Sequence, residues 1–307
     1  MFQLRQSILL FITAAIWGAG FIGQSIGMDH VSPFTFTFFR TLIGALCLLP
    51  LIAFMKHRQV KAIEKGGARA PQKRANRSVL IKGSICCGVC LIAAESFQQF
   101  GLVYTQASKA GFITSMYIIF VPLISLFLGK RPNLFVIIGV VLSVIGLYLL
   151  CVKQGTLTFE IGDLLILICA VIFAVHILVI AVFVEKVDGV MLSCGQFFVA
   201  SFLGLIMMLI FESHLTLEAL KAALPAILWC GIMSNGVAYT LQIVGQRGMN
   251  PTIATIILSL ESVMAAVFGA LILNESLSSR EYTGCLIMLC AVIIAQLNPR
   301  LFFKDRG

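Results

Sequence analysis

Glu95, Gln98 and Gln99 stand in the stretch LIAAESFQQFG (91–101), one carboxylic acid and two amides inside a long apolar run. Their spacing of i, i+3 and i+4 puts all three on one face of a helix. Asn235, Tyr239 and Gln242 fall at i, i+4 and i+7 and share a face in the same way. Such groups can bind an amine or exchange hydrogen bonds with a polar solute. An ionisable side chain in mid-bilayer costs about 2.5–3.5 kcal/mol on insertion scales, so it is held toward the protein interior or a water-filled cavity. Arg40, Glu95, His176 and Glu261 all fall inside apolar runs. One buried polar residue between helices acts as glue. Two matched stripes fit a shared aqueous cavity better. Trp17 and Gln24 share a face with Thr13 and Gly20, and Glu261 lies beside the stripe Thr252, Thr255, Ser259 and Ser262. Burial favours the neutral form of a carboxyl group, so Glu95 or Glu261 could exchange a proton with substrate or water. His176, midway along its run, is more simply a satisfied core residue. Arg40 is read first as the partner of a buried carboxylate, with snorkelling and capture of a substrate carboxylate as alternatives.

The elements that must hold these residues follow from composition. The chain is 60% hydrophobic and 11% charged over 307 residues; a water-soluble domain carries roughly 25% charged residues. Polar residues separate apolar runs near 7–27, 33–54, 79–103, 107–128, 134–152, 161–184, 190–211, 223–245, 251–273 and 280–297. Each is about as long as a helix needs to cross hydrocarbon. A spanning segment must satisfy its own backbone hydrogen bonds, so these runs predict ten transmembrane helices. They are too long and continuous for barrel strands. The first run follows Arg5, is too long for a signal h-region and lacks a convincing cleavage site, so it is expected to be a membrane helix.

The net charge of +9 reflects topology. With the N-terminus placed in the cytoplasm, 17 of the 22 Lys and Arg residues fall on that side, four on the other, and Arg40 inside a span. This bias predicts cytoplasmic N- and C-termini, and no motif points to nucleic acid. The ten cysteines lie in or at the ends of apolar runs, as small hydrophobes do. The C-x-x-C within CCGVC (86–90) has no second pair or histidine at metal-ligand spacing. Neither cofactor nor metal is expected. The chain has no P-loop, no G-x-S-x-G and no H-E-x-x-H.

An internal repeat organises the runs. Gln106–Gly139 overlays Pro251–Gly284 at a shift of 145, and AAIWGAGFI (14–22) overlays AVIFAVHIL (170–178) at a shift of 156. The chain then divides into two five-helix halves, 1–152 and 153–307. Five is odd, so the halves are inverted relative to each other, an architecture that puts a substrate site near the midplane. The basic segment 55–78 is expected to be a mobile cytoplasmic loop near lipid headgroups.

Several stretches resemble the drug/metabolite transporter superfamily, in its EamA group. These are AAIWGAGFI with SPFTFTFFR, then FGLVYTQASKAGFITSMYIIFVPLISLFLGKRP, then LSLESVMAAVFGALILNESLSSREYTGCLIML. The resemblance spans nearly the whole chain. It implies a ten-helix carrier of amino acids or other small metabolites, usually an exporter of the bacterial inner membrane. It also implies a central cavity lined by Trp17, Gln24, Glu95, Gln98, Gln99, Tyr117, His176, Asn235, Tyr239, Gln242 and Glu261. Two features depart from the family pattern. Gly129-Lys130 and Asn274-Glu275 stand where a Gly-Glu pair is usual, and Ser262 stands where a proline is common after Glu261.

The expectation is a non-enzymatic secondary transporter in a lipid bilayer, with a small-molecule substrate and protons as a candidate coupling ion. An importer is compatible with the same residues. An intramembrane enzyme using Glu95 and His176 as acid and base, and a scaffold acting through segment 55–78, are the alternatives. The sequence leaves the oligomeric state open.

Overall fold

The structure is a computed structural model and describes residues 2–64, 77–105, 107–129, 132–151, 160–212, 215–272 and 278–297. Every regular element among them is helical. In chain order these are α1 (Phe2–Met28), α2 (Pro33–Glu64), α3 (Arg77–Tyr104), α4 (Ala107–Thr114), α5 (Tyr117–Phe127), α6 (Leu134–Cys151), α7 (Ile161–Phe183), α8 (Gly189–Phe211) and α9 (Leu217–Trp229). A π-helical segment (Cys230–Tyr239), α10 (Thr240–Gln246), α11 (Pro251–Leu258), α12 (Glu261–Ile272) and α13 (Ser279–Ala295) follow. Eight stretches are long and apolar enough to cross a membrane. Of the ten runs expected, the two that fall short are the fifth and the last. The apolar part of α6 is the shorter helix Leu134–Leu149. α13 has 17 residues, about 25 Å of rise against a hydrocarbon core of about 30 Å.

Segment 55–78 differs from the loop expected. α2 continues unbroken to Glu64 and α3 begins at Arg77, so its two ends are helical. The 32 residues of α2 rise about 48 Å, beyond the core thickness, so its polar last turns extend the helix past the hydrocarbon. Residues 65–76 lie outside the described residues, as do Lys130, Asn274 and Glu275.

Local chemistry sets the helix starts. Asp188 accepts from Met191 N, Thr216 from Ala219 N and Asn250 from Thr252 N, while Ser278 and Glu281 form a reciprocal capping box. Gly129 and Gly248 adopt positive φ values of 75° and 66° in the turns after α5 and α10, where a side chain would be strained.

The packing is reciprocal between the first and second halves of the chain. α6 lies on α13, and α2 on α8. α3 lies along α7, as α9, the π-helical segment and α10 lie along α1. α1 packs on α12, as α7 packs on α5. Small residues allow these approaches. A Cβ at Gly18 would lie 2.7 Å from both Ala265 N and Glu261 O, and one at Gly146 would lie 2.9 Å from Gly284 O.

Two spans are interrupted. Thr114 ends α4 and Tyr117 begins α5; Leu258 ends α11 and Glu261 begins α12, both boundaries 144 residues apart. The backbone repeats at the same offset. Ser115 N bonds Gly111 O as Ser259 N bonds Thr255 O, and Met116 N bonds Ile113 O as Leu260 N bonds Ile257 O. The register is thus one residue shorter than the sequence overlay of 145. The second break forms without the proline common in the family. Ser259 Oγ instead donates to Ile256 O at 2.8 Å, a back-bond that bends helices.

Candidate functional site

A partly open cavity lies between α1, α2, α3, α5, α7 and the later broken helices. Its walls are Trp17, Phe21, Gln24, Arg40, Gln98, Thr114, Tyr117, Phe173, Ile177, Ser234, Tyr239, Gln242 and Glu261. Seven of the eleven expected residues line it: Trp17, Gln24, Gln98, Tyr117, Tyr239, Gln242 and Glu261.

Arg40 is the charged centre on one side. It is 1% exposed, its Nη2 pairs with Glu95 Oε1, and its Nη1 donates to Gln24 Oε1 at 2.9 Å. Glu95 is fully buried and does not line the cavity. It stands behind Arg40 as its counter-charge, with Tyr239 beside the same carboxylate. The stripe Glu95, Gln98, Gln99 therefore meets three different neighbours. Gln98 enters the cavity and donates to Thr114 Oγ1 at 3.3 Å. Gln99 turns toward Met28, its Nε2 at 3.8 Å from Sδ.

Glu261 is the ionisable group across the cavity. Its Oε1 accepts from Ser115 Oγ and from Tyr117 OH, both at 3.1 Å. Ser115 Oγ also meets Ser262 Oγ at 2.9 Å. These contacts join the first residues of α5 and α12 to the break between α4 and α5. Glu261 and Tyr117 occupy equivalent places in the two interruptions, so the two breaks touch each other through them.

Asn235, Tyr239 and Gln242 were expected on one face, but the π winding from Cys230 to Tyr239 changes the register. The wider turn aligns residues five apart. Ser234 and Tyr239 thus face the cavity together with Gln242, while Asn235 turns toward Gly44, where its Cβ leaves no room for a side chain. Neither amide atom of Asn235 has a hydrogen-bond partner among the described residues. Gly231 and Gly236 let this segment press against Ile43 and Cys47 of α2.

His176 is fully buried and does not line the cavity. Its Nε2 lies 3.0 Å from Gln196 Oε1. Its neighbours Phe173 and Ile177 form the wall instead. Trp17 and Tyr239 meet edge to face at 4.7 Å, so the wall is aromatic between Arg40 and Glu261. Arg40, Phe21, Thr114, Phe173, Ile177 and Ser234 were not among the expected lining residues. The signal for Arg40 was present, an arginine inside a span, but it pointed first to a structural pair, which Glu95 completes. Among the described residues no group of three or more His, Cys, Asp or Glu side chains could hold a metal ion.

A bundle of apolar helices around a polar, aromatic-walled cavity defines a polytopic membrane protein of the transporter class. The chain belongs to the EamA-like transporter family, whose model matches it twice, over residues 5–152 and 160–296. An uncharacterized transporter of Archaeoglobus fulgidus is 32% identical over 301 residues, covering 96% of this chain and 87% of that protein. The uncharacterized transporter YoaV of Bacillus subtilis is 22% identical over 286 residues, 91% of this chain and 92% of that protein. A solved crystal structure, 18% identical, shares the fold with a TM-score of 0.74 over 97% of this chain and 99% of its own.

Proposed function

We propose that the protein is a secondary transporter that carries a small polar or zwitterionic metabolite, an amino acid or a related compound, by alternating access. The observation behind this reading is the pair of ionisable groups, Arg40 and Glu261, that line one polar, aromatic-walled cavity. Arg40 receives a substrate carboxylate, since a guanidinium matches that group's geometry. Glu95 keeps the site near neutrality when it is empty. Glu261 receives an ammonium group, and Gln24, Gln98 and Gln242 supply hydrogen bonds. The aromatic wall of Trp17, Phe21, Tyr117, Phe173 and Tyr239 shields the solute from lipid.

The interruptions offset by 144 residues and the reciprocal helix packing support two inverted five-helix repeats, 1–152 and 153–307, that together make ten spans. Discontinuous helices at corresponding positions of two halves are where such carriers build their sites. The Lys and Arg distribution supports cytoplasmic termini. We assign the carrier to the bacterial inner membrane, with export as its direction and protons as its coupling ion.

Counterflow in proteoliposomes tests the reading. Vesicles loaded with an unlabelled amino acid, nucleoside or small amine are diluted into the labelled compound. Accumulation of one zwitterionic class, abolished in Arg40→Gln, is the expected result. Exchange that survives unchanged in Arg40→Gln and Glu261→Gln removes the site assignment.

A further inference from the structure

We propose that Glu261 is the carrier's proton site and that its proton controls the contact between the two helix breaks. This deepens the transporter reading and rests on it. Three buried groups compete for the role. Glu95 is committed to Arg40. His176 stands behind the wall residues Phe173 and Tyr239, with Nε2 held by Gln196. Glu261 lines the cavity and has no ion pair among the described residues.

The hydroxyl geometry singles out one oxygen. Ser115 has one hydroxyl proton, and it goes to Glu261 Oε1. The 2.9 Å contact with Ser262 is then a bond donated by Ser262 to Ser115. Tyr117 also donates to Oε1. All three hydroxyls thus direct their protons along one relay to Oε1. Oε2 accepts nothing among the described residues and belongs to a carboxyl group that lines the cavity. It is the open acceptor, and it takes a proton from cavity water to give the carboxylic acid. Release to water on the opposite side reverses the step, and no other bond is made or broken.

The consequence is mechanical. Hydrogen bonds to an ionised carboxylate are about twice as strong as neutral ones. A proton on Oε2 removes the charge that Ser115 and Tyr117 bond to, and so weakens the contact between α12 and the α4–α5 break. The titratable groups facing Glu261 are Tyr117 on α5, Tyr239 on the π-helical segment and Cys169 on α7, with Arg40 of α2 on the same cavity.

Infrared difference spectroscopy of the purified full-length protein in liposomes, between low and high pH, tests this with the proton alone as probe. The wild type is expected to show a carboxylic C=O band that disappears as pH rises. Glu261→Gln lacks the band and Glu95→Gln retains it. Tyr117→Phe and Ser115→Ala, which keep the carboxyl, retain the band at a shifted frequency, and this holds the test open if Glu261→Gln does not fold. A band that persists in Glu261→Gln, or that neither hydroxyl variant moves, overturns the proposal. So does a band removed at constant pH when sodium replaces potassium, because the site is then a sodium site. Counterflow without the band refutes the proton site and leaves the carrier standing. The band without counterflow does the reverse.

Discussion

The Tyr117 hydroxyl donates to Glu261 Oε1 at 3.1 Å and so joins the first residues of two half-helices, α5 and α12. The two residues hold equivalent positions in interruptions 144 residues apart. A contact between equivalent positions of two halves is what a local two-fold relation between them produces. It also lies on the wall of the cavity, where a solute can sense it. A hydrogen bond to a charged group contributes about 1.5–3 kcal/mol. Tyr117→Phe is therefore expected to lower the midpoint of thermal unfolding in detergent and to alter the rate of exchange more than solute affinity. An unchanged rate with unchanged stability makes the contact incidental.

Arg40 and Glu95 make a pair in which both side chains are withdrawn from solvent. Removing one partner of a buried pair costs about 3–5 kcal/mol because the other charge is left unpaired. Glu95→Leu is expected to destabilise the fold by that order, and Arg40→Met together with Glu95→Leu by less than the sum of the single changes. A double-mutant cycle on chemical denaturation measures the difference. Strict additivity contradicts the pairing.

Gly18 offers a contrast with Gly111. A Cβ at Gly18 meets Ala265 N and Glu261 O at 2.7 Å, backbone atoms that cannot turn aside. A Cβ at Gly111 meets Phe21 at 3.5 Å, an ordinary contact. Gly18→Ala is expected to separate α1 from α12 and abolish exchange, and Gly111→Ala to leave both stability and exchange near wild type. Counterflow and size-exclusion profiles of the two variants decide this. Equal behaviour of the two argues against close packing at Gly18.

Trp17 meets Tyr239 edge to face on the cavity wall. Such a ring pair contributes about 0.5–1.5 kcal/mol beyond its buried area, and a tenfold change in affinity is about 1.4 kcal/mol. Trp17→Ala is expected to weaken apparent solute affinity about tenfold while Trp229→Ala, on a half-exposed outer position, does not. Concentration dependence of counterflow reads both.

Topology has its own test. A fluorescent reporter after residue 307 is expected to fold and fluoresce, and a phosphatase inserted at residue 155 to be active outside the cytoplasm. The reverse pattern overturns the orientation read from the Lys and Arg bias.

The apolar runs, their helical nature and the inward placement of Arg40, Glu95, His176 and Glu261 were legible in the sequence, because hydrocarbon imposes them. Side-chain partners were less so. Residues at i, i+3 and i+4 share a face, but that face is wide enough to meet several helices, and Glu95, Gln98 and Gln99 go to Arg40, Thr114 and Met28. The Asn235 face was misjudged because a π winding carries no reliable sequence mark. Gly231 and Gly236 hinted at close approach but not at a changed turn. The breaks at Ser115 and Ser259 were hidden for a similar reason. Neither holds a proline, and the hydroxyl contacts of Ser115 and Ser259 leave no trace in hydropathy. The extension of α2 to Glu64 was missed because polar composition signals departure from hydrocarbon, not the end of a helix.

Counterflow of a zwitterionic amino acid in proteoliposomes, wild type beside Arg40→Gln, tests the central claim most directly. The account predicts saturable accumulation of label in wild-type vesicles and its loss in the variant. Equal accumulation in both, or none in either across the whole panel of amino acids, nucleosides and amines, contradicts a solute site built on Arg40.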